Sequence, residues 1–266
     1  MRPPGERYRA RMPSVQGSGD VLLSDAGGIP LARYRWRDDL GEQVVSGFRP
    51  LPGVAPDRVA AQAVRALPGR RVTMLDEQVA RAFAGVGGTL VRAATDLHRD
   101  LADLPAPPPV AAGWVLDGHR WDDDLTGVLR AAYPPEHPDH GDRVTRLQGL
   151  LSGEGALPLL PGASARLRDP GGHSAGQVLT VGPVPWGERP CAWVLDLAVA
   201  PRAQGGGFGA ALLVHAMGGT RDAGLPTLGL TVTDGNPARR LYDRMGFRPV
   251  LRTFTMRLPD SSPAML

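Results

Sequence analysis

An α/β domain built around a mixed sheet is predicted for the C-terminal half of this chain, on three observations. From Ala163 to Ala200 the sequence is strand-rich, broken at Asp169-Pro170-Gly171-Gly172 and Val184-Pro185-Trp186-Gly187. It then alternates: helix over 207–218, strand over 227–233, helix over 237–245 and strand over 248–257, each read from its apolar spacing. The run Leu104-Pro105-Ala106-Pro107-Pro108-Pro109 marks a linker ahead of it, so a domain is placed at 106–266.

The earlier elements follow in chain order. Residues 1–19 are rich in Arg, Pro, Gly and Ser and read as a flexible arm. Val21-Leu22-Leu23, a turn at Asp25-Ala26-Gly27-Gly28 and Leu31 to Trp36 predict a hairpin. Val59, Ala63 and Leu67 share one face of a helix over 57–67, with Asp57 as its N-cap. A strand over 72–75 and a helix over 79–84 complete a module assigned to 20–105. Beyond the linker, Val110 to Leu116 reads as a strand. A helix over 122–132 carries Leu125, Val128 and Leu129, and a second runs from Asp142 to Leu151.

Composition narrows the function classes. All 30 basic residues are arginine, and the net charge of +3 is too small and too evenly spread to argue for nucleic acid. No stretch approaches the ~20 apolar residues of a membrane helix, and no apolar block follows the arginines near the N-terminus, so a cytoplasmic protein is expected. One cysteine, Cys191, makes no internal disulfide. Oligomeric state is not legible.

The two halves also resemble each other. Sliding 72–99 onto 230–257 without gaps matches Thr73 with Thr231, Asp76 with Asp234, Ala80 with Ala238 and Arg81 with Arg239. It further matches Gly88 with Gly246, Thr95 with Thr253 and Arg99 with Arg257. Seven such matches exceed the two or three expected from an Ala/Arg/Gly-rich composition, and a duplication is expected.

The chemistry-bearing signal is Leu197-Ala198-Val199-Ala200-Pro201-Arg202-Ala203-Gln204-Gly205-Gly206-Gly207-Phe208-Gly209-Ala210. An apolar strand meets a short turn, and glycines open a helix. Unpaired N–H groups at a helix start bind phosphate, and glycine lets the backbone approach it. A P-loop would continue with Lys then Ser/Thr, whereas Ala210-Ala211 follow here. Downstream, Asn236-Pro237-Ala238-Arg239-Arg240-Leu241-Tyr242-Asp243-Arg244-Met245-Gly246-Phe247 forms a second block.

Gln204, Gly207 and Gly209 resemble the Q/R-x-x-G-x-G/A coenzyme A signature of the GCN5-related acetyltransferases. The second block is similar to that family's N-x-x-A-x-x-x-Y-x-x-x-G-F, and the resemblance spans roughly 110–258. It implies the family's fold, a mixed and mostly antiparallel sheet flanked by helices, with acetyl-CoA as co-substrate and no metal. It implies that the strand 193–199 splays from 227–233, with pantetheine between them along Leu197, Ala198 and Val199. The N–H of Val199 would face the thioester oxygen. The N–H groups of Gln204, Gly205, Gly206, Gly207, Phe208 and Gly209, continuing to Ala210, would hold the pyrophosphate, and Asn236 would touch the pantetheine arm. Tyr242, beside Leu241 and near Met245, reads as a core residue or as the general acid the resemblance implies, since its phenol is protonated at neutral pH.

Asp196 is the candidate base, acting directly or through water, against the bland reading of a strand-end carboxylate bonded to a neighbour. Thr231 stands where some relatives carry glutamate. The loop Tyr133-Pro134-Pro135-Glu136-His137-Pro138-Asp139-His140 lies where the family shapes its acceptor pocket, against the plainer reading of a solvated, rigid loop; its prolines and irregular spacing argue against a metal site. Asp122-Asp123-Asp124 reads as a charge cluster at a helix start, with contact to the acceptor's ammonium group as the alternative, and His173 as an exposed turn residue.

In the first copy Ala84 replaces Tyr242 and Gln78 replaces Asn236, and Phe48-Arg49-Pro50-Leu51-Pro52-Gly53 lacks the phosphate-loop signature. A degenerate, non-catalytic module that walls one side of the pocket is expected. The function expected overall is acetyl transfer from acetyl-CoA to an amine of a small molecule or peptide by direct attack. A silent coenzyme A-binding regulator is the alternative.

Overall fold

The computed structural model describes residues 19–39, 42–137, 139–141, 143–152, 157–184 and 190–260. The expected arm therefore lies, except for Gly19, outside the described residues. So do Asp142, Pro138 and residues 185–187 of the break foreseen after Val184.

The described residues divide into two units, one over 96–250 and one over 19–95 with 251–260. The expected division at the proline-rich run is not where this boundary falls. It falls inside two strands, β5 (Thr89–Asp100) and β11 (Arg248–Arg257).

In the smaller unit β1 (Val21–Ser24) and β2 (Pro30–Asp39) form the foreseen hairpin, Val21 opposite Tyr34. β3 (Glu42–Pro50) pairs antiparallel to β2 and parallel to β4 (Arg71–Met74), which pairs antiparallel to β11. β3 was not foreseen: Gln43, Ser46, Arg49 and Pro50 obscure its apolar alternation. Helix α1 (Pro56–Ala66) starts one residue earlier than expected. Its N-cap is Ala55 rather than Asp57, because Pro56 has no N–H to satisfy and fits the first turn. α2 (Glu77–Gly85) is capped by Asp76, whose side chain accepts from the N–H groups of Gln78 and Val79. Phe48, Val59, Phe83 and Met256 are among the buried residues of this core.

The larger unit orders its strands β5, β10 (Thr227–Thr233), β9 (Cys191–Val199), β8 (Ser174–Val181), β7 (Ala165–Arg168) and β6 (Val115–Gly118). Its sheet is mixed: β6 to β9 pair antiparallel in succession, and β9 with β10 is parallel. β6 begins five residues later than the sequence suggested. Pro107 to Pro109 cannot donate to a ladder, and a turn over Ala111–Trp114 with Gly113 at φ 81° delays pairing.

Helices cover both faces, which is why β8 is buried along its whole length. On one face α5 (Phe208–Asp222) sets Leu212, Leu213, Ala216 and Met217 against Leu167, Val178, Leu228 and Leu230. Each leucine so buried contributes about 2 kcal/mol. On the other, α3 (Asp123–Ala132) and α4 (Arg143–Leu151) bring Leu129, Tyr133 and Leu147 onto Leu179 and Ala198. α6 (Arg239–Arg244) is shorter than the 237–245 expected. No helix among the described residues is long and apolar enough to cross a membrane.

Candidate active site

β9 and β10 pair from Thr227 opposite Cys191 to Leu230 opposite Val194, and the pairing stops there. Both strands run on, β9 to Val199 and β10 to Thr233, without partnering each other. At the last turn of paired sheet the Trp193 ring lies across Gly229, where a Cβ would come within 2.4 Å of it. The opening thus sits directly before Leu197, Ala198 and Val199.

After Val199 the chain makes a 3-10 turn over Pro201–Ala203, and α5 starts at Phe208. Its N-cap is Gly207 at φ 78°, a left-handed conformation that costs a side-chain-bearing residue 1–2 kcal/mol or so. No side chain caps this helix start, so N–H groups of the first turn remain for a ligand. Gln204 folds back, donating its amide to the Val199 carbonyl at 3.1 Å. Phe208 is buried and stacks on Trp114 with ring centres 4.3 Å apart.

Tyr242 lies in α6, buried against Phe247. Burial, with Asp196 and Asp139 nearby, pushes its phenol well above the usual tyrosine range. Its hydroxyl makes no hydrogen bond to the protein among the described residues. Asn236 accepts the Ala238 N–H at 2.9 Å and donates to the Asp139 carboxylate at 3.1 Å; Thr233 also donates to Asp139. Asp139 thereby fastens the 133–143 loop to the end of β10. The two loop histidines have structural partners as well. His137 Nδ1 accepts the Asp139 N–H at 3.0 Å, and His140 Nδ1 lies 2.9 Å from the Tyr133 carbonyl oxygen. No group of three metal-ligating side chains occurs among the described residues.

Asp196 is fully buried at its side chain and accepts four hydrogen bonds. Oδ1 takes the Tyr133 hydroxyl at 2.9 Å and Arg143 Nε and Nη2 at 2.9 and 2.7 Å, while Oδ2 takes Gln177 Nε2 at 2.8 Å. Burial opposes the Arg143 charge, but Asp196 outweighs it and raises the guanidinium pKa further. Burial also drives the Tyr133 phenol well up, so it remains a donor. With its side chain fully buried and both oxygens engaged, the carboxylate presents no exposed oxygen to a substrate. The expectation of a directly acting base at Asp196 is therefore disfavoured by its surroundings, and the bonded-neighbour reading describes them.

Asp122 caps α3 through the Leu125 N–H at 2.7 Å and also receives Arg166 and Ser174. His173, exposed, pairs with Asp124 at 3.1 Å. Thr231 donates its hydroxyl to Asp96 at 2.7 Å, so a carboxylate from β5 reaches the position where Thr231 supplies none.

Arg143, Gln177, His119 and Asp96 were not singled out as site residues from the sequence, and Tyr133 only as the first residue of the acceptor-side loop. Only Gln177 carries a local signal: it is an amide in Ser-Ala-Gly-Gln-Val-Leu-Thr-Val, a strand otherwise suited to burial on both faces.

A mixed α/β sheet that opens beside an uncapped, glycine-started helix offers a slot for an extended ligand that ends in phosphate, as an acyl-carrier cofactor of a transferase does. The chain belongs to the acetyltransferase (GNAT) family, whose profile matches residues 164–247. It is 30% identical over 275 aligned residues to the mycothiol acetyltransferase of Actinosynnema mirum, covering 92% of this chain and 86% of that protein. It is 34% identical over 204 residues to the mycothiol acetyltransferase of Salinispora arenicola, covering 71% and 64% respectively. Among solved structures, a GCN5-related N-acetyltransferase from Sphaerobacter thermophilus matches with a TM-score of 0.62 at 17% identity, over 90% of this chain and 79% of that one. A tandem GNAT protein from the clavulanic acid biosynthesis pathway matches at 0.56 and 16%, over 89% and 82%. At those identities the two structures share the fold. The protein is an N-acetyltransferase of this family.

Proposed function

We propose that the protein moves an acetyl group from acetyl-CoA to the amine of a small-molecule acceptor, by direct attack within a ternary complex. The observation that carries this reading is the end of β9–β10 pairing at Val194 and Leu230, immediately ahead of the uncapped start of α5. Pantetheine enters the opening along Leu197, Ala198 and Val199. The Val199 N–H meets the oxyanion, and within the Gln204–Ala210 stretch the amides of Gly205 to Gly209 take the pyrophosphate, since those of Gln204 and Ala210 already donate to the carbonyls of Pro201 and Gly207. Asn236, anchored by Asp139, lines the pantetheine path. Tyr242 protonates the departing thiolate, its raised pKa keeping the proton available until sulfur needs it.

Direct transfer is favoured over an acyl-enzyme by the state of Cys191, the only cysteine. It is buried, and burial raises its thiol to about 12, far from a nucleophilic thiolate at neutral pH. A buried, unpaired thiol also suits the reducing cytoplasm, where we place the protein.

The curated relatives are named for the acetylation of mycothiol. That acceptor in its unacetylated form therefore leads the substrates to test, ahead of other small amines and peptides. We infer that the smaller unit is a degenerate copy without catalysis. In support, β3, α1 and the parallel strand β4 repeat the order of β9, α5 and β10, yet Ala84 and Gln78 stand at the matched tyrosine and asparagine positions.

The test is thiol release from acetyl-CoA across that amine panel, beside a thermal shift with acetyl-CoA alone. Stabilisation with turnover on unacetylated mycothiol supports donor and acceptor together. Turnover only on another amine overturns the acceptor. Absence of any shift overturns the coenzyme A site.

A further inference from the structure

The buried carboxylate of Asp196 fixes the orientation of a histidine that no motif announces. A carboxylate only accepts, so Gln177 must turn its NH2 group to Asp196 Oδ2, at 2.8 Å. Its carbonyl oxygen then faces the ring of His119, whose Nε2 lies 2.9 Å away. An amide oxygen also only accepts, so Nε2 must carry the hydrogen. In a neutral imidazole the remaining nitrogen, Nδ1, is left with the basic lone pair. Nδ1 has no hydrogen-bond partner among the described residues.

Three elements place this ring. His119 directly follows β6 and meets Trp121 edge-on at 5.4 Å. Trp121 packs with Leu125, Val128 and Ala200 at the end of β9. Gln177 pairs opposite Ala198 in the β8–β9 ladder, one residue from Val199. The imidazole therefore stands by the same strand end whose Val199 N–H is assigned to the thioester oxygen, on the face that Asp196 and Tyr133 share.

The charged groups around it come from every element it packs against. Arg166 of β7 is neutralised by Asp117 and Asp122, and Asp196 by Arg143. With these charges compensated, burial dominates and holds the His119 pKa below the usual histidine value. The ring is uncharged at neutral pH.

We propose that His119 Nδ1 is the proton acceptor for the attacking amine, with Gln177 and Asp196 as the residues that set its tautomer; this rests on the direct-transfer reading above. As the amine nitrogen bonds to the thioester carbon, its proton passes to Nδ1, giving an imidazolium. The C–S bond breaks, and Tyr242 gives its proton to the sulfur. Solvent then takes the proton from His119 and returns one to Tyr242. The products are the acetamide and free coenzyme A.

Two measurements on the full chain test this. The first is long-range 1H–15N correlation NMR of protein with 15N-histidine, which reads the tautomer of each of the six histidines. An Nε2–H ring at His119, assigned by its loss in His119→Gln, is expected; an Nδ1–H ring there overturns the proposal. The second is the pH profile of acetyl transfer to unacetylated mycothiol. His119→Gln should lower kcat about 10²-fold or more, leave the KM for acetyl-CoA unchanged and abolish the acid limb. A variant stabilised by acetyl-CoA as well as the wild type but retaining full kcat and the same acid limb overturns it. Should the wild type not turn over this amine, the acceptor assignment fails, and the tautomer still decides the fate of His119.

Discussion

Arg143 from α4 meets Asp196 from β9 at 2.7 Å, its guanidinium stacked 4.2 Å from the centre of the Tyr133 ring. The pair ties the helical face of the larger unit to the strand that opens. Replacing Arg143 with Met leaves a fully buried carboxylate without its cation. The expected loss is about 3 kcal/mol in urea unfolding. A loss below about 1 kcal/mol, the scale of a solvated pair, would show that Asp196 is not held by this charge.

Tyr242→Phe keeps the ring that packs on Phe247 and removes only the hydroxyl. Turnover should fall about 10²-fold while acetyl-CoA affinity, read by titration calorimetry, stays as it was. Because burial raises the phenol above its ordinary value, it holds its proton through pH 9, and the wild-type rate should show no alkaline loss attributable to this group there. Unchanged turnover in the variant would return Tyr242 to a packing role.

Gly207 occupies a left-handed conformation at the start of α5, with open space where a Cβ would be. Gly207→Val therefore meets no clash, but it forces a β-branched residue to φ 78°, at a cost of about 1–2 kcal/mol. The helix start should shift to avoid it, and the Kd for acetyl-CoA should rise about tenfold, the equivalent of ~1.4 kcal/mol. Equal affinity would place the pyrophosphate elsewhere.

Asp122 links pH to stability. Burial raises its pKa, but the Leu125 N–H, Ser174 and Arg166 together outweigh that and leave it lowered. Since the folded-state value lies below the unfolded one, the unfolded chain takes up this proton first as pH falls. The stabilisation is complete above the ordinary aspartate value near ~3.9 and is lost as pH drops through the folded value. Asp122→Asn should thus be less stable than wild type at pH 6, and the gap should narrow at pH 3 in denaturant titrations. A constant gap would mean that the cap acts through geometry rather than charge.

Much of the larger unit was legible because its signals are local. Strand β10 occupies the predicted 227–233, and α3 spans all but the first residue of 122–132, because apolar spacing, Asp122 and the apolar run before Pro201 each act within a few residues. β3 was hidden because Gln43, Ser46, Arg49 and Pro50 break the alternation that marks a strand. α1 began at Pro56, where proline's first-turn preference prevails over an aspartate cap one residue later.

The sequence by itself determined the family, the glycine-started helix and the block that carries Asn236 and Tyr242, since each depends on residues close along the chain. Only the tertiary structure decided what surrounds Asp196. Tyr133, Arg143 and Gln177 lie 63, 53 and 19 positions away, and Asp96 reaches Thr231 across 135. Strand pairing and helix packing bring such residues together, and no spacing rule along the chain encodes them. A buried carboxylate then selects its donors by hydrogen-bond satisfaction, and that selection carries through Gln177 to the ring of His119.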